Sequence, residues 1–152
     1  MTTQTIDQLN SFLRGEISAV ETHKMAIEKL AKSSFVPVLR DSLASHEKRV
    51  AMLQKEITKL GGEPAEGSGA WGTFAKLIEG GAAAFGEKAA ISALEEGEDH
   101  GRNDYQRELD EMMPPTREFV AGLLGEQLKT HAAISQLKRT MANEPPRYQS
   151  QR

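Results

Sequence analysis

The chain has no cysteine in 152 residues. That removes disulfides, thiolate metal sites and thiol nucleophiles together. Aromatic residues make up only 5%, and the dominance of Ala, Glu, Lys and Leu favours helix over sheet. No apolar run approaches the roughly 20 residues a membrane-spanning helix needs. The start, MTTQTIDQLN, lacks a basic stretch followed by an apolar core, so no signal peptide is expected. A large excess of either charge is also absent, with 19 Lys and Arg against 22 Asp and Glu. A net charge of −3 gives nothing that would draw the chain to nucleic acid or to an anionic membrane. These absences point to a soluble, cytoplasmic, bacterial-type protein of one domain, with no nucleic-acid partner and no transmembrane segment.

What is present is a helical repeat with polar residues inside it. Ile6, Leu9, Leu13, Glu16, Val20, His23, Ile27 and Leu30 follow one another in steps of three and four, the seam of a helix facing a bundle core. Leu39, Leu43, His46, Val50, Leu53, Ile57 and Leu60 do the same. Glu16, His23 and His46 fall inside these seams. A buried carboxylate or imidazole without a partner costs several kcal/mol. Such residues must meet each other, a metal or water.

The spacing predicts four long helices. The first runs from near Thr5, where Thr5 and Gln8 have capping-box spacing, to about Ala31. The second has Pro37 in its first turn and stops at Gly61–Gly62. The third runs from about Gly86 to Met112 with Ile91, Leu94, Glu98, Gly101, Tyr105 and Leu109 on one face. The fourth starts at Pro114–Pro115 and carries Val120, Leu124, Gln127, His131, Ile134 and Met141, with Leu123, Leu128 and Leu137 widening the face. Between the second and third lies a segment rich in glycine: nine of the 13 glycines fall between Gly61 and Gly97. We read it as a crossover holding a short amphipathic helix from about Ala70 to Glu79, with Trp71 and Phe74 either packed on the bundle or forming a partner or membrane patch. The runner-up is one long, glycine-weakened helix from Ala70 to Met112. The domain is expected over 5–142, with a disordered polar tail over 143–152. Short links within each helix pair and one long link between the pairs match a four-helix bundle with a crossover along its length.

Helix rise places the polar residues at one height. About the turn near residue 32, Glu16 and His46 differ by about 3 Å, and about the turn near 113, Glu98 and His131 differ by about 5 Å. The two halves also echo one another. Gly15–Glu16 precedes His23 by the same spacing as Gly97–Glu98 precedes Tyr105, and Leu43-Ala-Ser-His46 mirrors Leu128-Lys-Thr-His131.

GEISAVETHKMA resembles the first helix of bacterioferritins and rubrerythrins. Across LNSFLRGEISAVETHKMAIEKL, LGGEPAEGSGAWGTFAKLIEG and ALEEGEDHGRNDY, the chain is more similar to an uncharacterised bacterial family of ferritin-like proteins, a domain of unknown function. The likeness covers roughly residues 6–141 and implies an all-α, ferritin-like four-helix bundle. Di-iron members carry a Glu on each of two helices and Glu-x-x-His on the other two. The resemblance maps Glu16 and Glu98 onto the lone glutamates, and His46 and His131 onto the histidines. Leu43 and Leu128 then fall where the bridging carboxylates belong, so oxygen-activating two-metal chemistry is not expected.

Two readings follow. In one, Glu16, His46, Glu98 and His131 ligate a single divalent ion of iron, zinc or manganese. In the other there is no metal: Glu16 pairs with His46 and Glu98 with His131, Tyr105, His23 and Gln127 complete the network, and the bundle is non-catalytic, structural or partner-binding. Homodimerisation through the Trp71 segment is a further reading. Glu95, Glu96, Asp99 and His100 spread over several helix faces and read as solvated surface, and Glu47 and Glu126 flank the histidines. Lys48, Arg49 and Lys55 read as an ordinary helix surface. The glycines of GGEPAEGSG follow no strand and make a phosphate loop improbable.

Overall fold

A computed structural model describes residues 2–72, 75, 76, 78, 80 and 86–143. Among them there are four long helices and no strand: α1 (Thr2–Lys29), α2 (Val36–Lys59), α3 (Glu87–Leu109) and α4 (Pro114–Asn143), with a short helical turn at Gly69–Gly72 and helical backbone again at residues 75, 76, 78 and 80 of the crossover. Helix α1 begins before Thr5, so the capping-box spacing there does not mark its start. Pro37 lies in the first turn of α2, where its missing N–H costs nothing, and Gly61 follows the helix with φ +84°. No helix of the described residues is long and apolar enough to cross a membrane.

The helices pair as two hairpins, α1 with α2 and α3 with α4. Their apolar seams form two separate clusters. One gathers Ala26 of α1, Leu39 of α2, Ala90, Ile91 and Leu94 of α3, and Ile134, Leu137 and Met141 of α4. The other gathers Leu9, Phe12 and Leu13, then Leu53 and Ile57, then Tyr105, and Val120 and Leu123. Fully burying one such aliphatic side chain stabilises by about 1.5–3 kcal/mol, so these two ends hold the fold together.

The clusters also fix helix directions. α2 finishes in the second cluster, and α3 begins in the first. The chain between them therefore joins opposite ends of the bundle. Its first residues lie along α1: Asn10 Nδ2 donates to the Glu63 carbonyl at 2.9 Å, and the Ala65 amide donates to Asn10 Oδ1 at 2.7 Å. Further on, Gly69 sits against the Arg14 side chain, and Ile78 is buried in the first cluster. Gly86, at φ +95° and ψ −172°, lies outside helical space and starts α3. The alternative of one continuous helix from Ala70 to Met112 is thereby excluded. Phe74, Leu77 and Phe85, the side chain of Trp71 and the tail from 144 lie outside the described residues.

Candidate functional site

Between the two apolar clusters lies a polar layer to which every helix contributes. On α1, Glu16 is buried; on α2, His46 and Arg49; on α3, Glu98 and Tyr105; on α4, Gln127 and Thr130. All of them lie on the inward seams. On α2 the buried residues step Leu39, Ser42, His46, Arg49, Leu53, Ile57, and on α4 Val120, Leu123, Gln127, Thr130, Ile134, Leu137, Met141. The i, i+3 pairs His46/Arg49 and Gln127/Thr130 thus reach one centre from neighbouring turns.

His46 is its hub. Nδ1 lies 2.6 Å from Glu16 Oε1, and Nε2 lies 2.6 Å from Glu98 Oε2. A carboxylate oxygen can only accept, so both ring nitrogens must carry protons and the ring is an imidazolium. Burial alone would lower its affinity for the second proton, but the Glu98 and Glu16 charges and their hydrogen bonds outweigh it and push the pKa up to about 9. The carboxylates move the opposite way. Burial would raise Glu98, yet the His46 charge and the bonds from His46 and Thr130 bring it down to about 2. Glu16, likewise raised by burial alone, is held below its usual range by His46, Arg49 and the Tyr105 hydroxyl.

Arg49 is the second cation. Its side chain is fully buried, at 0% exposure. Nη1 donates to Glu16 Oε2 at 3.1 Å and to Gln127 Oε1, and Nη2 donates to Thr130 Oγ1 at 3.0 Å. The Thr130 hydroxyl in turn donates a hydrogen bond to Glu98 Oε1 at 2.6 Å, and Tyr105 donates to Glu16 Oε2 at 2.6 Å. Gln127 Nε2 donates to the Glu98 carbonyl at 2.8 Å. Gly101 leaves room for this last contact: a Cβ there would come within 2.7 Å of Gln127 Nε2 and push the amide aside. Two carboxylates and two cations leave the layer neutral. Ser45 Oγ is the one buried side-chain polar atom without a partner among the described residues.

His23 stands apart from this network chemically. Its Nδ1 lies 2.7 Å from the Ala19 carbonyl and must donate there; Nε2 then accepts from Ser42 Oγ at 2.8 Å. Burial and the nearby His46 charge lower its pKa to about 4, so the ring is neutral. Donor atoms of His23, His46 and Glu98 lie within 4.8 Å of one another, a spacing on which an ion could be held. A cavity of about 40 Å³ between α1 and α3 touches Glu16, His23, His46, Glu98 and Tyr105, with Gly15, Gly97 and Gly101 in its walls.

Of the four sequence candidates, Glu16, His46 and Glu98 meet in this layer and His131 does not. His131 follows Thr130 by one residue, about 100° around the helix. That turns it into the α3–α4 groove, where its Nε2 lies 2.5 Å from Asp99 Oδ1 and Arg102 lies alongside. Leu128, expected on the seam at a bridging position, is 43% exposed. Arg49, read from the sequence as surface, lies at the centre, and Thr130 was not singled out at all. The signal for both is strict three-four spacing: Arg49 lies seven residues after Ser42 and Thr130 seven after Leu123, each one position before an apolar or imidazole neighbour that mimics the seam.

Comparison with curated proteins finds no match. A family model matches residues 4–111, which span α1 to α3 and include Glu16, His46, Arg49, Glu98 and Tyr105, while Gln127 and Thr130 lie beyond the match. With well over half of its length covered, the chain belongs to the family described as Domain of unknown function (DUF2383).

Proposed function

We propose that this chain is a non-catalytic, ferritin-like bundle, structural or partner-binding, in which two side-chain cations stand where di-metal relatives hold metal ions. The direction of α2 and α3 supports the ferritin-like reading, because one long connection between opposite ends distinguishes that topology from an up-down-up-down bundle. The ligand positions support the rest. Di-metal bundles use one Glu on each of two helices and Glu-x-x-His on each of the others. Glu16 and Glu98 fit the first kind; the i, i+3 pairs that reach the same centre are His46/Arg49 and Gln127/Thr130. In this register neither pair keeps its glutamate.

The observation that carries the reading is the buried Arg49 guanidinium on Glu16, Gln127 and Thr130. A guanidinium stays protonated in proteins. With the His46 imidazolium it balances both carboxylates, and an added divalent ion would leave the layer with two excess positive charges. The set Glu16, His46, Glu98 and His131 fits such an ion poorly, since His131 is engaged with Asp99 and both nitrogens of His46 are engaged with carboxylates. The group His23, His46 and Glu98 fits no better, because both nitrogens of His23 are also in use. The cavity beside the layer, about 40 Å³, has room for two or three waters. Sites for organic ligands are several hundred Å³.

The test is metal analysis of protein purified without a histidine tag. After exposure to Fe(II), Zn(II) or Mn(II), it is expected to retain less than about a tenth of an equivalent, and its melting temperature is expected to stay put, whereas a ligand at 100 times its Kd adds about 2.7 kcal/mol. One tightly held equivalent, lost in His46→Leu, would establish the metal reading instead.

A further inference from the structure

We propose that the second proton of His46 is a latch between the two hairpins: its loss hands Nε2 to Arg49, releases Glu98, and loosens the α3–α4 hairpin from α1–α2 at alkaline pH. The proposal rests on the reading above, that side-chain charges alone close the layer.

The geometry divides the work of the two ring nitrogens. Nδ1 is bonded to Glu16, within the first hairpin, while Nε2 is bonded to Glu98, in the second. Arg49 Nη2 lies 3.3 Å from that same Nε2. While the ring is protonated this places one N–H group against another and gains nothing. Once Nε2 gives its proton to solvent, its lone pair becomes an acceptor for Nη2. The same lone pair then faces Glu98 Oε2 at 2.6 Å, acceptor against acceptor. Glu98 keeps the Thr130 hydroxyl, but its tie to the first hairpin has become repulsive. The Nδ1–H bond to Glu16 is untouched. The layer passes from neutral to one net negative charge.

Among the described residues, no other group facing the ring restores the balance. α1 presents Glu16 and the neutral His23 to the ring; α2 presents Arg49, already a cation; α3 presents Glu98 and Tyr105. From α4 come Gln127 and Thr130, which do not titrate. The cavity of about 40 Å³ that touches His46 and Glu98 gives the departing proton a path through water. The sign follows from the raised pKa. Below the ordinary value of 6.5 the stabilisation is complete, and it is lost as pH rises through about 9.

The experiment uses the intact, 15N-labelled chain from pH 6 to 11. Ring 15N shifts report which nitrogen of His46 is protonated, and backbone amide exchange, corrected for its intrinsic pH dependence, reports protection. Both nitrogens are expected to be protonated at pH 7, and Nε2 alone to lose its proton near pH 9. Protection of α3 and α4 is expected to fall about tenfold or more over the same range, with α1 and α2 holding theirs. A singly protonated ring at pH 7 would overturn the neutral layer and the latch together. A doubly protonated ring that loses Nδ1–H first, stays charged beyond pH 10.5, or titrates while all four helices lose protection equally would overturn the latch and leave the layer standing.

Discussion

Arg49→Met is expected to lower the unfolding free energy by about 3–5 kcal/mol, a fall in melting temperature of about 6–20 °C for a chain of this size, measured by thermal and denaturant unfolding. Methionine fills much of the arginine volume, so packing loss is a minor part. The loss comes from Glu16, which keeps its place in the layer but surrenders one of its two cations, and from Gln127 and Thr130, each of which loses a charged donor. A surface role predicts something else. Exposed ion pairs contribute about 0–1 kcal/mol, so an arginine of the Lys48 and Lys55 kind would be replaced almost without effect. One substitution thus separates the central Arg49 from an ordinary helix surface.

His46→Leu is expected to cost a similar amount, about 3–5 kcal/mol, and in addition to change the sign of the pH dependence in weak acid. In the wild type, Glu98 has a depressed pKa, so its contribution is complete above 4.5 and lost only as pH falls through about 2. Stability is therefore flat or declining as the medium is acidified from pH 6.5 to 4.5. Without His46, two buried carboxylates face one guanidinium. The uncompensated one is destabilised by burial and prefers its proton, so acidification relieves the variant. The gap between variant and wild type should narrow from pH 7 to pH 4.5. A gap that is constant across this range, in urea or guanidinium titrations at each pH, would mean that His46 is a packing residue with no charge to balance.

Much of the fold was legible because apolar periodicity and glycine or proline punctuation are local signals. Pro37, Gly61, Gly86 and Pro114 mark helix ends where they were expected, to within a few residues. Helix rise alone put Glu16 beside His46, and Glu98 on the same layer. The site was harder because apolarity was used to locate the inward face. On α2 the seam runs through Ser42 and Arg49 rather than Leu43 and Val50; on α4 it runs through Leu123, which only widens the expected face, and through Thr130 in place of His131. In a neutral polar layer the inward positions are the polar ones, so a rule that follows leucine shifts by one residue at that height. A shift of one residue rotates a helix by about 100°, enough to exchange the buried Thr130 for the half-buried His131. Charge counting alone does not expose the shift, because Glu16 with His46 and Glu98 with His131 already balance; the deficit appears once His131 turns to Asp99. Two buried glutamates with one imidazolium leave a net negative charge, and Arg49 is the cation three residues from His46 on the same face.

The layer also divides labour with the rest of the core. The two apolar clusters supply cohesion but would tolerate sliding, since aliphatic surfaces are non-directional. The bonds from His46 to Glu16 and Glu98, and from Arg49 to Glu16 and Thr130, are directional and join all four helices at one height. Apolar replacement of a whole buried ion set is often neutral or stabilising, while removal of one member is costly. That asymmetry is the physical content of calling the four charges one unit.

The most direct measurement is a double-mutant cycle on Arg49→Met and Glu16→Gln, read by equilibrium unfolding at pH 7. Glutamine keeps an acceptor for the Tyr105 hydroxyl while removing the charge that faces the guanidinium. Each single variant strands one charge, and the double variant leaves Glu98 and His46 balanced. The double variant is expected to be more stable than the sum of the two losses by at least about 2 kcal/mol. Losses that add to within about 0.5 kcal/mol would contradict a layer closed by its own side-chain charges.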